Sequence, residues 1–284
     1  IGDEMGLFNQ FISLDIKNNM GIAGLTDEFF CVYLHNLFEK YNKNILVVVN
    51  SLYEANQLYS SLKNYSDNCC LFPMDDFLTS EALAISPDLQ ITRLETINEI
   101  IKGKKNIVIT NLMGYLRFLP TKKTYTDFVM ELKVGSIISP QKLVDKLISS
   151  GYTRDTIVSK TGEFGVRGFI IDVFPVDEEN PIRIEFFDDE IDSIRTFDPE
   201  SQKSIENLKK VLIKPYFEFI CDSEVPDEKF GKQKYLPEFG DVSSISEYLD
   251  ESITIFKDYE QLEFSYKHIM EEVVTYRESK DISF

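Results

Sequence analysis

The chain has 284 residues, with 30 Lys and Arg against 48 Asp and Glu, a formal net charge of -18. Phosphate binding runs on clustered cations, so this balance argues against a broad, non-specific grip on nucleic acid. Hydrophobic content of 43% with 13 Gly and 10 Pro describes a folded protein, and the length exceeds what one core usually organises, so two or three domains are expected.

Cys31, Cys69, Cys70 and Cys221 form no CxxC pair, and His35 and His268 lie far apart, so neither a zinc site, a disulfide framework nor a cofactor is indicated. The longest apolar runs, such as Ile45 to Val49 and Phe29 to Leu34, reach five or six residues, well short of the roughly 18 that a membrane span needs. A reducing, cytoplasmic location with no membrane association is expected. Because the chain opens at Ile1 without an initiator Met, it reads as an excised fragment or a processed chain.

In chain order, Ile45 to Val49 is a β-branched and aliphatic run, the composition of a strand buried on both faces of a parallel sheet. Ser51-Leu-Tyr-Glu54 follows with capping-box spacing, and Leu52, Ala55, Leu58, Tyr59 and Leu62 recur at helical period. A short strand near Cys69 to Phe72 comes next, then a helix opened by Ser86-Pro87 and ended by Gly103, then a strand at Ile107 to Thr110. After Pro120 the pattern changes. Tyr125 to Leu132 reads as a strand and Ser139-Pro140 starts a helix ending at Gly151. Four strand-like stretches follow, at Thr156 to Ser159, Gly168 to Phe174, Ile182 to Phe187 and Ile191 to Phe197, the last two flanking Asp188-Asp189-Glu190 as a hairpin. From Pro199 the alternation resumes, with strands at Val211 to Ile213 and Ser252 to Phe256 and a long helix from about Tyr259 to Glu278. The acidic loop Cys221 to Glu228 is expected to be exposed.

This order predicts an α/β fold: an open sheet split in sequence, with an inserted α+β domain. The boundaries expected are 1–117 and 199–284 for the two parts of the α/β domain and 118–198 for the insert.

Gly21-Ile-Ala-Gly24-Leu-Thr-Asp27-Glu28 sits before a helix, where a phosphate-binding loop would lie. Such a loop needs a Lys to neutralise terminal phosphates and a Ser or Thr to hold the metal, and those places carry Asp27 and Glu28. Each carboxylate would repel a triphosphate by about 1 to 4 kcal/mol at roughly 4 Å. Equally, Asp27 and Glu28 fit a helix first turn, where the dipole favours anions. Both readings deny ATP hydrolysis. Asp188-Asp189-Glu190 reads as a solvated hairpin tip, and Lys102, Lys104 and Lys105 as cations complementing a helix end.

In the insert, Arg154 and Arg167 precede the strand Phe169 to Phe174, on which Ile170, Asp172 and Phe174 share a face. Asp172 marks that face as the wetter one. Phe174 is then either an exposed aromatic anchor beside arginines or a cap on the core under Pro175, with Arg154 and Arg167 in local salt bridges. Residues Phe118 to Asp198 carry 10 Lys and Arg against 15 Asp and Glu, net -5, so bulk charge does not explain binding.

The runs Gly162-Glu-Phe-Gly-Val-Arg-Gly-Phe-Ile-Ile-Asp-Val-Phe-Pro175 and Arg183-Ile-Glu-Phe-Phe-Asp-Asp-Glu-Ile-Asp-Ser-Ile-Arg-Thr-Phe-Asp198 closely resemble the module shared by UvrB and the transcription-repair coupling factors, the Mfd family. The resemblance extends more loosely from Gly21 to about Pro215. UvrB has an intact nucleotide loop and a DNA-clamping hairpin, whereas here the loop is acid-substituted and Cys70 to Pro87 is too short for that hairpin.

The resemblance therefore implies the amino-terminal UvrB-homology module of a coupling factor, a degenerate RecA or helicase-like sheet with an inserted domain. It implies a non-catalytic adaptor that contacts UvrA through Arg154, Arg167 and Phe174, recruiting excision repair of DNA damage to stalled RNA polymerase. A third arginine of the UvrB surface falls on Gly165. Polymerase and DNA would be reached only through further domains, and the carboxy-terminal domain of the full-length protein would mask the UvrA face. The competing expectations are residual ATP-dependent helicase-like activity and direct DNA binding by the insert.

Overall fold

The computed structural model describes residues 16, 17, 19–76 and 86–280, the last seven by backbone alone. In chain order the elements are α1 (Asp27–Tyr41), β1 (Asn44–Val49), α2 (Leu52–Leu62), β2 (Cys69–Phe72), α3 (Pro87–Ile101), β3 (Ile107–Asn111), α4 (Leu112–Tyr115), β4 (Leu119–Pro120), α5 (Lys122–Asp127), β5 (Met130–Lys133) and α6 (Pro140–Ser149). There follow β6 (Thr153–Arg154), β7 (Glu163–Arg167), β8 (Ile170–Val173), β9 (Ile182–Phe187), β10 (Glu190–Phe197), β11 (Ser204–Leu208), β12 (Lys210–Ile213), α7 (Leu236–Phe239), β13 (Val242–Ser243), α8 (Ile245–Tyr248), β14 (Ser252–Phe256) and α9 (Tyr259–Lys280). The chain divides into two compact units: Ile1–Ala82 with Gly103–Leu116 and Leu249–Phe284, and Leu83–Lys102 with Arg117–Tyr248. The fold is mixed α/β.

The first unit holds a parallel sheet in the order β14-β1-β3-β2. Every residue of β1 is buried, as a β-branched run flanked by two parallel neighbours must be. Ser51 caps α2, its Oγ accepting from the Glu54 amide at 3.2 Å. The return bond runs one residue earlier than a capping box places it, from the Asn50 amide to Glu54 Oε2 at 3.2 Å. Asn44 closes one end of the sheet: its Oδ1 accepts from the Asn106 amide at 2.9 Å and its Nδ2 donates to the Asp250 carbonyl at 3.1 Å. Phe30, Leu34, Leu37 and Phe38 of α1 pack into the core with Ile45, Val47 and Val49.

The second unit is built on a six-stranded sheet, order β11-β10-β9-β8-β7-β6, antiparallel except for the edge strand β6, which runs parallel to β7. Its inner face carries Phe164, Ile171, Val173, Ile182, Ile184 and Ile194 against Leu143, Val144 and Leu147 of α6. Ser139 caps α6, its Oγ accepting from the Lys142 amide at 3.3 Å, and Pro140 opens it. Helix α3, which the sequence order places beside the first sheet, packs within this unit.

Three strand expectations are corrected. Tyr125 lies in the short helix α5, fully buried, its hydroxyl donating to Asn98 Oδ1 at 3.1 Å, while Thr121 caps that helix by accepting from the Thr124 amide at 3.1 Å. Cap and burial override its β-propensity. Thr156 to Ser159 forms no strand, because Asp155 Oδ1 accepts from the Thr156 amide and Glu163 Oε2 from those of Ser159 and Lys160, which satisfies the loop from side chains. Val211 to Ile213 is a strand, but it pairs antiparallel with β5, whereas Ser252 to Phe256 joins β1 in the first sheet. The hairpin at Asp188 forms as expected, with Asp188 at φ 59°. The expectation about a hairpin between Cys70 and Pro87 falls on residues 77–85, outside the described residues.

Candidate functional site

In the first unit, residues 20–26 reach α1 without regular structure, and Gly24 adopts φ +85°. A Cβ at either Gly21 or Gly24 would meet nothing within 4 Å, so neither glycine is needed for close approach of a neighbour. Thr26 is the N-cap residue but its side chain makes no capping bond. Asp27 and Glu28 occupy the first turn of α1, where the helix dipole favours them. Asp27 does more than complement the dipole, since its Oδ1 lies 3.3 Å from Lys257 Nζ, just beyond β14.

A cleft of about 490 Å³ opens here, lined among others by Asp27, Glu28, Cys31, Tyr53, Glu54 and Lys257. Burial, then the charges of Asp27 and Glu28, push the Cys31 thiol above its ordinary value. Burial draws the Lys257 ammonium down, but Asp258 and Asp27 outweigh it and hold the group above its usual range. Three carboxylates against one already-paired lysine make this a poor seat for an anion.

The second unit brings charge together on the outer face of its sheet. Because Ile171 and Val173 point inward, Asp172 points outward, as alternation requires. It is not wet, however: Asp172 is only 4% exposed. Its Oδ2 accepts from Arg167 Nη2 at 2.7 Å and from Arg183 Nη2 at 2.8 Å, and its Oδ1 accepts from Arg183 Nε at 2.7 Å. The strand pairing of Asp172 with Arg183 sets this up. Hydrogen bonding to Asp172 raises the already high Arg183 pKa despite burial. Arg183 also donates to Gln202 Oε1 at 3.0 Å and stacks over the Phe197 ring at 4.3 Å. Further along the face Arg195 holds Glu185 through both carboxylate oxygens, at 2.5 and 2.8 Å, which lowers the Glu185 pKa.

Arg183 is locked, its side chain 11% exposed, whereas the Arg167 side chain remains 52% exposed. Arg167 pairs with Ile170 and Ile170 with Glu185, so Phe187 stands two residues beyond that row at the same end of the sheet. Strand spacings place the Arg167 and Phe187 backbones on the order of 12 Å apart. Phe187 is 77% exposed, and the backbone beneath it is tied by the Phe186 amide donating to the Phe169 carbonyl at 2.8 Å.

Arg154 is exposed on β6 beside Phe164, and Phe174 is half-buried, its amide donating to the Glu163 carbonyl at 2.9 Å. Both lie toward the start of β7, so Arg167 stands roughly 10 Å further along that strand. The structure thus groups Arg167 with Arg183, Asp172 and Phe187, and sets Arg154 and Phe174 toward the other end. A Cβ on Gly165 would meet the Asp155 carbonyl at 3.1 Å and Val158 Cγ2 at 3.3 Å, so the loop after β6 must give before a third arginine could stand there. Sequence reasoning left out Arg183 and Phe187, although both lie in the run that carries the family resemblance.

Residues 130–219 match the family model of the UvrB interaction domain. The chain is 36% identical over 210 residues to a transcription-repair-coupling factor of Bacillus subtilis, covering 73% of this chain and 18% of the relative. It is 35% identical over 222 residues to one from Staphylococcus epidermidis, 76% of this chain and 19% of the relative, and 36% identical over 209 residues to one from Staphylococcus aureus, 73% and 18%. The chain therefore spans less than a fifth of the length of these relatives. No helix among the described residues is long and apolar enough to cross a membrane. Residues 130–219 are thus similar to the UvrB interaction domain, and over about three quarters of its length this chain is a homologue of the transcription-repair-coupling factors.

Proposed function

We propose that this chain is a non-catalytic adaptor that docks UvrA through the outer face of its six-stranded sheet. The observation that carries the reading is the half-exposed Arg167 fork, anchored on Asp172, at the same end of the sheet as the exposed Phe187. A guanidinium with donors facing outward suits a partner carboxylate, and an exposed aromatic on a hydrogen-bonded strand suits an apolar pocket. Phe174 would extend the contact toward the start of β7, and Arg154, in register with the inward-facing Phe164, would meet the partner from the edge strand β6 rather than from the outer face. In the whole protein this surface would bring UvrA to a stalled RNA polymerase in the cytoplasm. Polymerase and DNA would be held by other domains, and the surface would be covered by the carboxy-terminal domain until the motor engages.

Titrating purified UvrA into the chain should give saturable binding that Arg167→Ala and Phe187→Ala each weaken at least about tenfold, the scale of a central interface residue. Unchanged affinity for both variants overturns the assignment.

The parallel sheet of the first unit reads as a motor half whose loop has lost its cations, and the 3.3 Å Asp27–Lys257 pair supports that reading. Isothermal titration with magnesium-ATP should then give no binding heat at millimolar nucleotide. Binding that disappears on changing Asp27 would contradict it.

A further inference from the structure

We infer that Asp172 is a positioning residue for the docking surface: it holds Arg167 in its outward-facing conformation, an inference that rests on the UvrA reading above. The geometry is asymmetric. Arg183 contributes two of the three bonds Asp172 accepts, and its guanidinium is fixed further by Gln202 and by the Phe197 ring. The buried carboxylate is thereby matched by a buried cation before Arg167 is counted, as a buried charge requires. Arg167 adds a single bond through Nη2 to Oδ2 at 2.7 Å while half of its side chain stays in solvent.

An arginine on an exposed strand position would otherwise sample many rotamers, and ordering it would weigh against association. One bond to a rigid acceptor removes that freedom in advance and leaves the remaining donors of the fork for a partner. The chain Phe197–Arg183–Asp172–Arg167 therefore runs from the core of the unit to its surface, and Asp172 is the link that Arg167 depends on.

The test is a double-mutant cycle read by UvrA titration, with wild type, Asp172→Asn, Arg167→Ala and the double variant, each checked by thermal melting. Asp172→Asn keeps the shape but replaces one acceptor oxygen by a donor, so affinity should fall about 5- to 10-fold, and Arg167→Ala should then cost at least threefold less than it does in the wild type. A merely structural Asp172 would lower the melting temperature yet leave the Arg167 effect unchanged, and that additive result overturns the inference while the UvrA reading stands. Absence of wild-type binding removes both. If Asp172→Asn does not fold, Asp172→Asn combined with Arg183→Leu, which removes the buried cation together with the carboxylate so that neither charge is left uncompensated, takes its place in the same cycle with the same two outcomes.

Discussion

Replacing Glu218 by Ala should cost the second unit about 3 to 5 kcal/mol, the scale of leaving buried charges uncompensated. Glu218 and Arg93 are each 1% exposed, with Arg93 Nε donating to Glu218 Oε1 at 2.5 Å, and Arg117 Nε donates to Glu218 Oε2 at 2.6 Å. Removing the carboxylate puts two buried guanidiniums side by side without the anion between them. Gln233 ties the same segment, its Nε2 donating to the Phe118 carbonyl at 2.7 Å. Glu218→Gln keeps an acceptor oxygen and should lose less than the alanine variant.

The same group gives the unit an acid-sensitive component. Burial pushes the Glu218 carboxyl up, but Arg117 and Arg93 together outweigh it and hold the group below its ordinary value of 4.5. A carboxylate whose folded-state pKa is depressed stabilises the fold at neutral pH, and that contribution is lost as pH falls below about 4.5, where the unfolded chain takes up the proton first. Urea unfolding between pH 7 and pH 3 should therefore show a steeper acid loss in the wild type than in Glu218→Gln. Parallel curves would mean that the two arginines do not control this carboxylate.

What could be read in the sequence was local. The all-apolar run of β1, the Ser51 cap on α2 and the Pro140 start of α6 each follow from a few consecutive residues, and each formed. Partners across the chain were not legible in the same way. Val211 to Ile213 has the composition of a strand whichever sheet it joins, and only pairing with Met130–Lys133 decides between them. Asp172 shows the limit most clearly. Alternation placed it correctly on the face opposite Ile171 and Val173, but a lone Asp there implies water, and its actual partners come from two neighbouring strands. The proposed docking surface was hidden by the same gap, since Arg167 and Phe187 are twenty positions apart and come to one end of the sheet only through the register of β7, β8 and β9.

Gly162→Ala should destabilise the second unit by about 2 to 4 kcal/mol, because two penalties coincide at one position. Gly162 adopts φ +87°, a conformation that L side chains rarely take, and an added Cβ would lie 2.2 Å from Cε1 and Cζ of the Tyr216 ring. Tyr216 has little room to retreat, since its amide donates to the Ser150 carbonyl at 2.8 Å and its ring packs on Tyr152 with centroids 5.8 Å apart. Gly168 supplies the control: its φ is +60° but nothing lies within 4 Å of a Cβ there, so Gly168→Ala carries only the backbone strain, roughly 1 to 2 kcal/mol. Equal melting-temperature losses for the two variants would show that the Tyr216 ring yields freely. The pair also separates the two ends of β7. Gly162 donates its amide to the Phe174 carbonyl at 2.8 Å, next to the Arg154 end, whereas Gly168 adjoins Arg167. If UvrA docks chiefly on the Arg167 and Phe187 end, folded Gly162→Ala protein keeps near wild-type affinity at low temperature. If Arg154 and Phe174 dominate instead, Gly162→Ala weakens binding and Gly168→Ala does not.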